Sequence, residues 1–402
     1  MTIPDDTPEW LNPASRLEDL YLEGLTLPPN VFSGQTPCLT SLSLNSCTHD
    51  WDTLLVFRGL KSLSIAYPVS HSTVDSIIKI LELNGPHIEE VRLQNVFFSD
   101  GVAPSNSSLG KVRLEKLKYL KLEDDESTSI ARFFHYLAFP PHRMNIEIET
   151  LESAELSLVP SLISARNLEK WPIHHLEIKV ESDHACLRIT EDWPNGNELA
   201  DELDDVDTQS HIQIDIMTVD DPQQLLPLLI LFPIHPIERV SFMGGHSEPQ
   251  NPIILEYMGK LETIRELSLE LPFLDTFVVL TDQEGEKLQS AVDEGTLADI
   301  GGTQDVENTN FARTILSFHG LRHLDIYGRS QDGYILTSHD LLNLKTWLEW
   351  RKRFNFQLEK LSISGLTTPP ISWLSGVFDG LVGEFQTENL NELESEDGAL
   401  II

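Results

Sequence analysis

A six-residue pattern, apolar-x-x-apolar-x-apolar, recurs along almost the whole chain and limits its fold more than any other feature. It reads LEDLYL from Leu17, LTSLSL from Leu39, LKSLSI from Leu60, IEEVRL from Ile88 and LKYLKL from Leu117. It returns as IHHLEI from Ile173, IERVSF from Ile237, IRELSL from Ile264, LRHLDI from Leu321 and LEKLSI from Leu358. Weaker copies lie at 145–149 (NIEIE) and 211–216 (HIQIDI). The early starts, at 17, 39, 60, 88 and 117, stand 22, 21, 28 and 29 residues apart. Larger gaps, such as 117 to 173, come close to two periods of roughly 28 residues, with a degenerate copy between.

Within each copy the apolar residues alternate, the mark of a strand with one buried face. Between copies the period changes to that of a helix. In STVDSIIKILELNGP, Val74, Ile77, Ile78 and Leu81 fall on one helical stripe, with Ser72 or Thr73 as the cap and Gly85-Pro86 as the stop. STSIARFFHYLAFPP repeats the plan with Ile130, Phe133, Phe134 and Leu137, ahead of Pro140-Pro141. SHDLLNLKTWLEWRKRF predicts a third helix from Leu341 to about Arg353. Strand, helix, breaker, strand is the order that makes parallel strands joined by crossovers. The expectation is an α/β leucine-rich-repeat solenoid, a curved horseshoe with strands on the concave face and helices and loops on the convex face.

A chain of 402 residues is long for one compact core, but repeats escape that limit because each unit packs on its neighbours. The predicted organisation is an N-terminal extension over 1–15, a repeat domain over 16–366 and an acidic, partly disordered tail over 367–402. Two acidic stretches, near 181–210 and 282–310, break the rhythm and are expected to loop away as insertions. The longest apolar run, Leu225 to Ile234, has ten residues including two prolines, too short for a bilayer span. No leader-like segment opens the sequence, and only Cys38, Cys47 and Cys186 occur, without paired spacing. A reducing compartment, cytoplasmic or nuclear, is the expectation. The formal net charge of −36 disfavours nucleic acid and anionic membrane, which need clustered Lys and Arg, and permits a basic partner.

Chemistry finds little support. There is no Gly-x-Ser-x-Gly, His-Glu-x-x-His, Cys-x-x-Cys or phosphate loop. Cys38, Cys47 and His49 are close in sequence, but the strand between the cysteines carries them too far apart for a metal pair. Asp124-Asp125 and Asp204-Asp205 read as solvated acidic runs. His174 and His175 alternate on a strand and point to opposite faces. Cys47, ninth in its repeat, is expected inside as an inert thiol, Trp51 packed under the next turn and His49 exposed. No enzyme activity, metal or cofactor is expected.

The alternation also predicts a partner surface. Residues between the repeat leucines face away from the core: Tyr21; Ser41, Ser43 and Asn45; Arg92; Tyr119 and Lys121; His175 and Lys179; His323, Asp325 and Tyr327. Serines leave room for a partner's side chains, and Tyr, Arg and His are residue types that anchor interfaces.

One block carries more than repeat leucines. Leu27-Pro28, Phe32-Ser33-Gly34, Pro37-Cys38-Leu39 with Leu42 and Leu44, then Cys47 and Trp51-Asp52, resemble the leucine-rich-repeat region of F-box proteins from mushroom-forming fungi. The closing LRHLDI strand, the long helix after it and LEKLSISG are similar to that family's ending. The resemblance implies a substrate-recognition region of a ubiquitin ligase, with a protein substrate on the concave face and a Skp-type adaptor and cullin docked through an F-box. The segment MTIPDDTPEWLNPAS is too short and Pro-rich to be the three helices of an F-box, so that module is expected to lie upstream or to be lost. The alternative is a stand-alone interaction scaffold with no ligase role.

Overall fold

A computed structural model describes residues 12–70, 72–97, 111–125, 127–139, 144–150, 160–162, 175–180, 185–190, 211–216, 226–231, 237–244, 253–270, 273–295, 306–328, 338–364 and 371–388. In chain order the strands are β1 (Asp19–Glu23), β2 (Ser41–Asn45), β3 (Ser62–Ala66), β4 (Glu90–Gln94), β5 (Val112–Arg113), β6 (Tyr119–Asp124), β7 (Leu137–Ala138), β8 (Asn145–Thr150), β9 (His175–Val180), β10 (Ala185–Thr190), β11 (His211–Ile216), β12 (Arg239–Gly244), β13 (Glu266–Glu270), β14 (His323–Tyr327), β15 (Leu358–Ser364) and β16 (Val382–Glu388). The helices are α1 (Val74–Asn84), α2 (Ser127–His135), α3 (Leu226–Leu231), α4 (Ile253–Gly259), α5 (Phe273–Asp293), α6 (Val306–Ile315), α7 (Ser338–Arg353) and α8 (Ile371–Phe378). Each of the twelve copies of the repeat pattern coincides with a strand.

The chain packs as two compact units: Met1–Pro172 with Cys186–Val219 and Pro227–Pro233, and Ile173–Ala185 with Asp220–Leu226 and Ile234–Ile402. In the first unit β1, β2, β3, β4, β6, β8 and β11 pair in that order, all parallel. The register is strict. Leu20, Leu42, Leu63, Val91, Leu120 and Ile146 form one inward row, and Leu22, Leu44, Ile65, Leu93, Leu122 and Ile148 the next. All twelve are buried. Fully burying one such side chain contributes about 1.5–3 kcal/mol, and a one-residue slip would turn the whole row outward, so the alternation locks the register.

The crossovers shorten where the repeats shorten. The first two hold only short turns: Val31–Gly34, where Phe32 and Ser33 are left-handed (φ 53° and 50°), and the six-residue 3-10 helix Trp51–Val56. The longer third repeat admits α1, capped by Thr73, whose hydroxyl accepts from the Ser76 N–H, and ended at Asn84 just before Gly85-Pro86. Asn84 is wholly buried and satisfied: its amide donates to the Phe57 and Ile80 carbonyls and its oxygen accepts from the Leu60 N–H. That one side chain ties the end of α1 to the entry of β3.

Strands β1 to β4 end the same way. The residue eighth in the repeat turns left-handed: Gly24 (φ 64°), Ser46 (φ 52°), Tyr67 (φ 49°) and Asn95 (φ 48°). Its N–H donates to a carbonyl at the end of the next repeat's strand, on Asn45, Ala66, Gln94 and Glu123 respectively, at 2.7–2.9 Å. Glycine adopts this conformation freely; for a side chain bearing a Cβ it costs about 1–2 kcal/mol.

In the second unit β9, β12, β13, β14, β15 and β16 pair in order, again all parallel, with Leu176, Val240, Leu267, Leu324, Leu361 and Phe385 in one row. Helices α5 and α7 pack together, with Phe277 edge-on to Trp347 at 5.1 Å between ring centres. Arg351 of α7 is fully buried, donates to the Phe318 and Leu321 carbonyls at 2.7 and 2.8 Å, and lies over the Trp347 ring. Glu284 of α5 is 2% exposed and accepts from the Ser317 N–H at 2.8 Å. Burial pushes its carboxyl up to about 7.

Several expectations are corrected. The stretch 282–310 is not a loop throughout: α5 runs to Asp293 and α6 starts at Val306, while 296–305 lie outside the described residues. The buried stripe of α5 (Phe273, Phe277, Thr281, Glu284, Leu288, Ala291) keeps helical spacing, but Thr281 and Glu284 break its apolar character in the sequence. Within 181–210 the segment Ala185–Thr190 is the buried strand β10, and the remainder lies outside the described residues. Within 367–402, α8 and β16 are ordered and β16 extends the sheet beyond 366; 367–370 and 389–402 lie outside the described residues. Asp124 is buried rather than solvated, because it accepts from the Phe97 N–H at 3.0 Å. His49 is buried too, packed edge-on to Trp51 at 4.6 Å, and burial lowers its imidazole pKa. Cys47 is buried as expected, its thiol 3.4 Å from the Leu22 carbonyl. Among the described residues no helix is long and apolar enough to cross a membrane.

Candidate functional site

Each unit carries its polar side chains on the strand face opposite the apolar rows. In the first unit β2 and β3 contribute its floor: Ser41, Ser43, Ser62 and Ser64, all half-buried, side by side in register. Around the floor stand three tyrosines. Tyr21 on β1 is 62% exposed and Tyr67, just past β3, is 47% exposed. Tyr119 on β6 is half-buried and lies under the Arg92 guanidinium, 4.9 Å from its ring centre.

Each tyrosine is tied to a carboxylate. The Tyr21 hydroxyl donates to Glu23 at 2.9 Å, that of Tyr67 to Glu123 at 3.1 Å and that of Tyr119 to Glu147 at 2.8 Å. Glu123 also accepts from the Gln94 amide at 2.9 Å, Glu23 from the Asn45 amide at 3.4 Å, and Arg92 is paired with Glu90 at 2.5 Å. Lys121 stands 3.7 Å from Glu149. These bonds raise all three phenol pKa values: at Tyr119 burial leads and Glu147 follows, whereas at Tyr21 and Tyr67 the bonded carboxylate leads. The phenols therefore stay protonated as donors. Over β1–β8 the outward carboxylates Asp19, Glu23, Glu90, Glu123, Glu147 and Glu149 outnumber the cations Arg92 and Lys121.

Tyr67 is the residue that sequence reasoning missed. It follows the strand rather than alternating within it, so the strand pattern passes over it. The signal lay in its repeat position, where the neighbouring copies carry Gly24, Ser46 and Asn95. An aromatic side chain held in the left-handed region is strained, and strain of this kind concentrates at sites with a task.

The corresponding face of the second unit differs. His175, expected to be available, is 3% exposed; its Nε2 lies 3.1 Å from the hydroxyl of Ser241, a small and equally buried neighbour on β12 that lets the ring fold down. Glu270 is buried and accepts from the Gly244 N–H at 3.0 Å. Asp325 is half-buried, its carboxyl pKa raised by burial and offset by Ser362. His323 lies between Glu266 and Glu359, at 3.5 and 3.6 Å. Lys179 and Tyr327 are half-buried. The structure thus gathers Tyr21, Ser41, Ser43, Asn45, Arg92, Tyr119 and Lys121 on one face of the first unit. Lys179, His323, Asp325 and Tyr327 share the other unit's face, and His175 leaves the set.

The first face offers flat aromatic area and surplus negative charge above a small-residue floor, features found at protein interfaces. No protein-family model and no curated protein matches the chain.

Proposed function

We propose that the chain is a protein-interaction module built as a leucine-rich-repeat solenoid, and that its strand face holds a protein substrate for an F-box-type ubiquitin ligase. The observation that carries the interaction reading is the tyrosine–carboxylate face of the first unit, with Tyr67 kept in a strained conformation and half exposed. Twelve repeat copies falling on strands, with parallel register wherever they pair, support the solenoid. The ligase role rests on the likeness of the Leu27-to-Asp52 block to fungal F-box proteins. Within that block Cys47 and Trp51 are buried, as structural positions of a repeat would be.

Affinity capture from the native cell extract, followed by mass spectrometry, tests both levels. Retention of a Skp-type adaptor and a cullin beside a substrate supports the ligase role. Capture of protein partners without them leaves an interaction scaffold with no ligase role. Partner capture unchanged by Tyr67→Ala and Tyr119→Ala together would contradict the proposed face.

A further inference from the structure

The second unit holds a cleft of about 330 Å³ at the edge where its strands begin, meeting the strand face just described only through Glu359, which also pairs with His323. Three arginines line it, Arg265, Arg313 and Arg322, in a chain whose net charge is −36. Each is positioned by a different device. Arg265 donates through Nη1 to the Gly320 carbonyl at 2.9 Å, and it lies so close across Gly320 that a Cβ there would stand 2.5 Å from Nη1. Glycine is therefore required for this guanidinium to occupy its place. Arg313 lies over the Phe356 ring, 5.8 Å from its centre. Arg322, its side chain 56% exposed, pairs with Glu359 at 3.2 Å.

Two carboxylates also line the cleft, Glu262 and Glu359, so three guanidinium groups against two carboxylates leave a net charge of +1. Glu262 is largely in solvent, its side chain 78% exposed, and Glu359 is shared between Arg322 and His323. Neither neutralises Arg265 or Arg313. His319 lies against Phe356 between these groups, and its imidazole pKa is lowered by burial despite the nearby Glu262.

We infer that this cleft binds a phosphate monoester. Three guanidinium groups lining one cleft, Arg265 among them fixed to backbone, suit an anion with several acceptor oxygens, and a monoester presents three of them and nearly two charges. A carboxylate has two oxygens and one charge, which a single arginine can satisfy. The volume is at the lower limit for ligand pockets, enough for a phosphorylated side chain or a small metabolite headgroup. Phe356, Asn355 and Gln357 supply one apolar wall and amide groups for whatever carries the phosphate.

Calorimetric titration of the full chain with phenyl phosphate, a short phosphoserine peptide and acetate at equal ionic strength tests the site. The expected result is saturable monoester binding that acetate does not reproduce. The Arg313→Gln/Arg322→Gln double variant should bind at least tenfold more weakly with an unchanged melting temperature. A peptide that binds more tightly than phenyl phosphate identifies a modified protein as the source; the reverse order identifies a small metabolite. Bound dianion should also raise the His319 pKa, read by NMR, because it opposes the field of Arg313. Absence of monoester binding at millimolar concentration, equal binding of acetate, or full affinity in the folded double variant would overturn the site. None of these outcomes bears on partner capture by the first unit's strand face.

Discussion

The strand faces of the two units are built from the same backbone pattern and use their polar residues in opposite ways. On the first unit the tyrosines stand up, with Tyr21 and Tyr67 well exposed and a serine floor between the walls. On the second unit polar groups turn inward: His175 against Ser241, Glu270 against the Gly244 N–H, and deeper still Glu284 and Arg351 against backbone. Buried polar groups that bond backbone specify a fold, whereas exposed aromatics bonded only to surface carboxylates contribute little to it. A shared repeat does not imply a shared task.

The contrast is open to direct attack, beginning with its structural half. Arg351→Met leaves the Phe318 and Leu321 carbonyls without their donor and Glu284 without a nearby cation. A loss of about 3–5 kcal/mol is expected in chemical denaturation. A loss below about 1 kcal/mol would mean that Arg351 does not hold the second unit together.

The Glu284 carboxyl gives the same test a pH axis. Its folded-state pKa is raised to about 7 by burial, above the ordinary carboxylate value of 4.5. Its contribution is therefore complete below about pH 4.5 and is lost as pH rises through about 7. Stability of the wild type relative to Glu284→Gln should fall between pH 5 and pH 8, by no more than a few kcal/mol. A pH-independent difference between the two proteins would remove Glu284 as the titrating group.

On the recognition side, Tyr119→Ala should weaken a captured partner by about 2 kcal/mol, roughly 30-fold, beyond a loss of about 1 kcal/mol in folding stability from the half-buried ring. Tyr67→Asn separates strain from contact. Asparagine accepts the left-handed conformation more readily, so stability should rise by roughly 0.5–1 kcal/mol while partner binding weakens several-fold. A variant that becomes more stable and binds equally well would show that the strain at Tyr67 serves no contact. The smallest effect is expected from Tyr327→Ala on the second face, a change in partner affinity below about twofold.

Much of the fold was legible because an inward strand position has few alternatives: Leu20, Leu42 and Leu63 must be apolar whatever the rest of the chain does. The helical period after β3 left Ser72 or Thr73 as the cap, of which the structure uses Thr73, and the repeat count placed the Cys47 thiol inside. What escaped were elements whose buried positions are polar or whose partners lie far away in sequence. Helix α5 hid behind Thr281 and Glu284, which become acceptable inside only once Ser317 supplies an N–H to the carboxylate. Strand β16 pairs at the end of the second unit's sheet and carries a weak alternation, so VGEFQTE does not announce itself. Strand β10 was masked by the acidic residues around it. Of the candidate face, the alternating residues were legible and Tyr67 was not, because its exposure depends on a backbone conformation rather than on alternation.

The most direct test is oxidative footprinting of the tyrosines with and without the captured partner, read residue by residue by mass spectrometry. Partner binding should protect Tyr21, Tyr67 and Tyr119 of the first unit and leave Tyr257 and Tyr327 of the second unit unchanged. Protection confined to the second unit, or unchanged modification of Tyr21 and Tyr67 in the bound state, would contradict the assignment of the first unit's strand face as the recognition surface.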